Sequence, residues 1–198
     1  MKTTLTTITL FLMSNFLFSQ TIQSGDYGFG LKLAFDQKTK KLTGYFENYT
    51  GWNEKTNKPN FSCIFYVEGQ VVNNKFDVLT YYPEDKTEDT IKGEIEIVGE
   101  NAIKIKLSSE HGGCWNVQNF ADEPVSFKME KKTEWKQIKY VVTNKAYFYS
   151  EKSENKKLKA YLVKNDFVSI DRIEGNWAYC TFYGNRITKG WIKVTDLN

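Results

Sequence analysis

The chain has 198 residues, 40% hydrophobic and 26% charged, which excludes a disordered or fibrous polypeptide. Aromatic residues are abundant (14 Phe, 12 Tyr, 5 Trp) and proline is scarce at 3, a balance that favours strands. A formal charge of +3 is too small for the basic footprint of a nucleic-acid-binding protein, so no nucleic acid is expected as a partner.

Residues 1–19, MKTTLTTITLFLMSNFLFS, place Lys2 ahead of an apolar run from Leu5 to Phe18 and end on the small residue Ser19. This is the pattern of a secretory signal peptide, with Gln20 as the first mature residue. The run is shorter than the ~20 apolar residues of a membrane span. The first cysteine is Cys63, far from the cleavage point, which disfavours a lipid-anchored form. No later stretch is apolar enough to cross a membrane, so a secreted, periplasmic or extracellular protein is expected, in a compartment where cysteines oxidise.

From Gly25 onward hydrophobic and polar residues alternate with period two, the signature of half-buried strands. Tyr27, Phe29, Leu31, Leu33 and Phe35 share one face. A turn, DQKTKK, leads to a returning strand over residues 41–49. Residues 51–60, GWNEKTNKPN, read as a polar loop. Residues 61–68 put Phe61, Cys63, Phe65 and Val67 on one face, and residues 75–82 run back after a turn. A charged turn covers residues 83–89. Residues 91–98 and 102–107 form a hairpin, and residues 114–117 and 125–129 are the last strands of the series. No stretch shows helical periodicity. Seven or eight short strands joined in sequence expose their edges unless the sheet closes. An antiparallel meander barrel over residues 20–133, a small lipocalin-like β-barrel, is therefore expected, with a sandwich as alternative.

Residues 131–134, KKTE, form a polar break, and a second β pattern starts near Ile138. The net charge is −3 over residues 20–136 and +5 over residues 137–198, so the chain is all-β in two units of opposite sign. Cys63 and Cys114 both fall in the first unit and are expected to form a disulfide. Cys180 falls in the second and is left as a small core residue. Three cysteines and one histidine, His111, lack the spacing of a zinc site, so no metal is expected.

The stretches KAYFYSEKSE, KAYLVKNDFVSI, EGNWAYCTF and KGWIKVTDL occur in that order in the second unit. Residues 140–198 on this basis resemble the bacterial SH3-like domain, and the second unit is drawn as residues 137–198. The turn at Asn165-Asp166 corresponds to a Gly-Asp turn of the family, with Asn where the backbone must be left-handed. Trp177 follows the turn Gly175-Asn176, Gly190-Trp191 opens the last strand, and residues 194–197 form the closing turn. The resemblance implies a small five-stranded barrel that binds rather than catalyses. Its groove beside the first loop places Tyr147, Tyr149, Trp177 and Tyr183 as ligand-binding residues. The acidic first loop of the family's polyproline groove is absent here.

Catalytic constellations are weak. His111 lies in the Gly-rich corner SSEHGGCW, three residues from Cys114, and a pair so close on a tight turn rarely aligns as base and nucleophile. The segment GDYGFG leads a strand rather than a helix, so it is no phosphate loop. Glu94 and Glu96 occupy the outer face of a hairpin strand. No catalytic residue and no cofactor is assigned. The expectation is an exported, non-enzymatic envelope protein that recognises peptidoglycan peptide or a protein partner. The alternative is an inhibitor or immunity-type protein acting against a wall-degrading enzyme.

Overall fold

The computed structural model describes residues 22–72 and 75–198, so the signal-peptide reading of residues 1–19 lies outside the described residues. The fold is all-β. Strands β1 (Gly25–Asp26), β2 (Leu31–Asp36), β3 (Lys41–Asn53), β4 (Lys58–Val72), β5 (Lys75–Tyr81), β6 (Ile91–Gly99), β7 (Ala102–Leu107), β8 (Val125–Lys128) and β9 (Lys131–Lys132) form one antiparallel sheet. Its order is β8-β7-β6-β5-β4-β3-β2-β1-β9, a meander in which each strand pairs with its sequence neighbour. Strands β10 (Gln137–Tyr140), β11 (Lys145–Tyr149), β12 (Lys157–Val163), β13 (Phe167–Glu174), β14 (Trp177–Tyr183) and β15 (Ile187–Lys193) form a second, in the order β10-β13-β14-β15-β11-β12.

The first sheet curls into a half-barrel because one face of strands β2 to β8 is apolar. Leu31, Leu33, Leu42, Phe46, Phe65, Val67, Phe76, Val78, Ile95, Ile103, Ile105 and Leu107 point into one buried cluster. Each such side chain stabilises by roughly 1.5–3 kcal/mol when fully buried. The two edge strands, β8 and β9, are consecutive pieces of chain. Between them Met129 N donates to Asn101 O and Glu130 N donates to Asp26 O, both at 2.8 Å, so one segment reaches both edges of the curl. The second sheet encloses its own core of Val141, Ala146, Phe148, Leu162, Val168, Ile170, Ala178, Cys180, Ile192 and Leu197.

The disulfide expected between Cys63 and Cys114 is present, and Cys180 is free and buried. Asn165 adopts the left-handed conformation expected of its turn, with φ 73°. Four local expectations are corrected. Residues 51–60 are not a loop: β3 and β4 extend through them to a turn at residues 54–57, forming a long hairpin arm. Residues 114–117 are not a strand. They hold a short helical turn, Cys114–Asn116, entered through Gly113 at φ 88°, where a Cβ would lie 2.6 Å from Ser62 O. Phe29 does not join the buried face of its neighbours but sits exposed in a turn before β2. The second sheet has six strands rather than five.

The polar stretch at residues 131–136 is no open linker. Lys131 and Lys132 pair with Asp26 and Gly25, Thr133 N donates to Ser24 O, and Ser24 Oγ donates to Trp135 O at 2.7 Å. Trp135 is buried. It belongs to a third cluster, with Ala34, Tyr66, Tyr81, Ile138, Tyr140 and Phe167, between the outer face of the first sheet and the second sheet. Tyr45 stacks on Phe167 with ring centroids 4.3 Å apart. Tyr66 Oη donates to Ile138 O at 2.7 Å, and Ile138 N donates to Thr43 Oγ1 at 2.8 Å. The two sheets are thereby joined through an apolar cluster crossed by these two hydrogen bonds, in which the Tyr81 hydroxyl is buried without a partner.

Candidate ligand-binding surface

Strand pairing in the second sheet sorts its side chains by face. Ala146, Phe148, Ala178, Cys180 and Ile192 point inward. Tyr147 and Tyr149 of β11 alternate with them and point outward. Register pairs Tyr149 with Trp191, Trp191 with Tyr179, and Tyr179 with Arg172, so these side chains share the outer face. Tyr149 meets Trp177 edge-on at 4.9 Å, and Tyr179 meets Trp191 at 5.2 Å. Tyr147 contacts Tyr161 of β12 at 5.6 Å. Three of the four residues expected from sequence therefore fall on one aromatic surface, joined by Tyr161, Tyr179 and Trp191, which the sequence reading did not select. Part of their signal was present: Tyr179 alternates with the core residues Ala178 and Cys180, and Trp191 alternates with the core residue Ile192.

Cations cover much of this surface. The Arg172 guanidinium lies 4.3 Å from the Tyr179 ring and 4.9 Å from that of Trp191, and Lys152 Nζ lies 5.4 Å from Trp191. Lys157 and Lys145 lie over Tyr147 and Tyr161 at 3.4 and 4.5 Å. Glu174 bridges Lys152 and Arg172, and both hold its carboxyl below the usual carboxylate range. Glu154 pairs with Lys193 at 2.6 Å. Trp191, under Lys152 and Arg172, and Tyr149, against Trp177, are buried at 7% exposure each, whereas Trp177, Tyr179 and Tyr147 are half-buried and Tyr161 is exposed.

Tyr183 lies apart from the other three. It ends β14, six residues beyond Trp177 and so roughly 20 Å along the strand. There it packs against Trp135 at 5.5 Å and lines a cleft of about 320 Å³ between the sheets, with Tyr45, Tyr49, Tyr82 and Phe167.

His111 is buried in a hydrogen-bonded line that the sequence did not reveal. Its Nε2 is 2.8 Å from Thr80 Oγ1 and its Nδ1 is 3.2 Å from Asp89 Oδ2, while the ring stacks on Phe65 at 5.0 Å. The order hydroxyl, imidazole, carboxylate matches a nucleophile, base and orienting acid. A nucleophile must meet its substrate, however, and Thr80 is fully buried with its hydroxyl also donating to Ile91 O at 3.1 Å. The line ties the Gly-rich corner to β5. Cys114, the other half of the sequence-level pair, is held in the disulfide and offers no thiolate.

Among the described residues no group of three or more His, Cys, Asp or Glu is placed to hold a metal ion, and no helix is long and apolar enough to cross a membrane. Comparison with protein-family models, with curated proteins and with solved structures finds no match to this chain.

Proposed function

We propose that the protein is an exported, non-catalytic binding protein of the cell envelope, whose second sheet recognises a carboxylate-bearing peptide such as a peptidoglycan stem. The observation that carries this reading is the outer face of that sheet, where Trp177, Tyr179 and Tyr147 stand among Lys145, Lys152, Lys157 and Arg172. Aromatic rings supply apolar contact at low entropy cost, and their hydroxyl or indole N–H supplies a polar edge. Arg172 and Lys152 already hold one carboxylate, that of Glu174, and a peptide carboxylate is the chemical equivalent that would compete for them. The resemblance to the bacterial SH3-like domain and the leader-like residues 1–19 support the same reading.

The test is titration of the full mature chain with a synthetic stem peptide, alongside co-sedimentation with purified sacculi. Trp177→Ala and Arg172→Ala are each expected to lose about 1–3 kcal/mol of binding, the range of an interface hot spot. Binding is expected to weaken as salt rises, because the cations are near the surface. A folded wild-type chain that binds neither peptide nor sacculi would end this reading.

A further inference from the structure

The concave end of the first sheet carries a second aromatic surface, remote from the one above. Five large aromatics of this sheet are unusually exposed: Phe29 at 55%, Tyr49 at 45%, Trp52 at 62%, Phe61 at 42% and Trp115 at 65%. Four of them converge on one rim. Pairing of Thr50 with Phe61 continues the inward-facing side of Asn48 and Cys63 along the hairpin arm, and Trp52, paired with Pro59, follows further out after Gly51 at φ 67°. Asn48 is paired with Cys63 on that side and donates from Nδ2 to Phe29 O at 3.1 Å, which fixes the Phe29 turn beside the arm. Cys63 is bonded to Cys114, the neighbour of Trp115, and Thr50 Oγ1 donates to Asn116 O at 2.8 Å, which fixes the Trp115 turn against the arm. Tyr49 points to the opposite face.

This rim is built rather than left over. Phe29 is held at φ 47° between Gly28 and Gly30 at φ 71° and 90°. A bulky residue in that region is strained and persists only where its surroundings enforce it, a condition that concentrates at functional sites. Beneath it Phe29 leans on Phe46 at 6.2 Å, and Phe46 packs on Phe65 and Phe120 at 5.4 and 5.0 Å. Rings fixed by a disulfide and an aromatic core pay little ordering entropy on binding.

Charge stands at the margins of the rim rather than on its face: Asp26 Oδ1 accepts from Gly28 N at 2.9 Å with Glu130 beside the same glycine, and Glu110 Oε1 accepts from Phe120 N and Ala121 N. The arm residues Asn48, Thr50, Trp52, Pro59, Phe61 and Cys63 carry no charge, and neither do residues 112–121 of the facing turn, in a chain that is 26% charged. A nucleic acid or an acidic peptide would leave its anionic groups unanswered there. An uncharged polyhydroxyl chain would not: its C–H faces stack on indole and phenyl rings, and its hydroxyls pair with amides such as those of the exposed Asn116 and half-buried Gln118, each both donor and acceptor. We propose that this rim is a binding platform for a neutral glycan chain. It shares no residue with the peptide surface, so the two readings stand or fall separately.

The experiment follows intrinsic tryptophan fluorescence of the full mature chain during titration with two probes, an N-acetylglucosamine tetramer and a glucose tetramer. One of the two is expected to bind, more tightly than its dimer, and with an affinity unchanged between low and moderate salt. Trp52→Ala and Trp115→Ala should each weaken binding about tenfold or more. Both side chains are mostly exposed, so circular dichroism and the thermal midpoint serve to confirm folding. Trp177→Ala should bind the sugar normally. Three results would overturn the proposal: no binding of either tetramer by folded protein, binding that survives both rim substitutions, or a concentration-dependent dimer or protein complex that those substitutions abolish in place of sugar binding.

Discussion

At the scale of single residues, burial and backbone geometry set what can be changed. Phe29→Gly removes an exposed side chain from a left-handed position and should leave stability the same or higher by up to about 1 kcal/mol. Gly30→Ala should do the reverse, because its new Cβ would lie 2.1 Å from Glu47 O with φ at 90°. We expect a loss of about 2–3 kcal/mol in urea denaturation, the range of a strained non-Gly position. Equal midpoints for the two variants would show that the turn yields and carries no strain. His111→Ala strips one of the two partners from the Thr80 hydroxyl and opens space beside Phe65, so a loss of about 2–4 kcal/mol is expected. Burial also moves proton affinities. It pushes the Tyr27 phenol up from 10.0 to about 12, and those of Tyr66 and Tyr81 higher still. The folded values exceed the unfolded one, so the contribution of these groups is complete below pH 10.0 and is lost progressively as pH rises from there through the folded values, the window in which the unfolded chain has given up protons that the folded chain retains. Phenolate absorbance from the buried tyrosines should therefore appear together with loss of circular dichroism, in one alkaline transition. Smooth titration of all 12 tyrosines near pH 10.0 with the fold intact would contradict this.

At the scale of elements, what sequence could show depended on whether a strand had two unlike faces. β5 and β7 alternate buried and exposed residues and were legible at once. Residues 51–60 were not, because the arm extends past the core and buries neither face, so no period-two signal marks it. Residues 114–117 looked like a strand from Cys114, Trp115 and Val117, yet Gly113 turns the chain and only Cys114 is buried. The aromatic outer face of the second sheet was half legible, since the resemblance pointed to Tyr147, Tyr149 and Trp177, while the cation cover from Lys152 and Arg172 depends on how β13 and the loop after β11 fold over the strands. The exposed aromatic rim was invisible, because Phe29, Trp52, Phe61 and Trp115 are far apart in sequence and are brought to one end of the sheet only by strand register and the disulfide. That disulfide closes a separation of 51 residues, worth about 4 kcal/mol in the chain-entropy model. Reduction should lower the thermal midpoint and raise protease sensitivity first in the arm and the Trp115 turn. An unchanged midpoint after complete reduction would mean that the bond adds nothing to the strand pairing around it.

At the scale of the whole molecule, the joint decides whether the two sheets behave as one. The outward positions of β3 and β4 carry Tyr45, Ile64 and Tyr66 where a solvated face would carry charge, and the second sheet answers with Ile138, Tyr140 and Phe167. Opposite net charges, −3 and +5, favour the same association at longer range. The exposed lysines at 131, 132 and 136 invite trypsin by sequence, but their backbone is paired with Gly25, Asp26 and Ile170. Cleavage needs that pairing to open, so native protein should not yield two stable halves. Residues 137–198 expressed alone would bare Ile138, Tyr140 and Phe167 to water and should be less stable than the same strands in the full chain. Heating the full chain should give one cooperative transition. Tyr66→Ala deletes a fully buried ring at the centre of the joint and the hydrogen bond to Ile138 O, a loss of about 3–5 kcal/mol by analogy with other large-to-small core changes. Because this loss falls on the joint rather than on either sheet's own core, calorimetry of Tyr66→Ala should resolve two transitions where the parent shows one. A single transition in the variant, shifted lower but unsplit, would mean that the sheets depend on each other for folding itself and not only for docking.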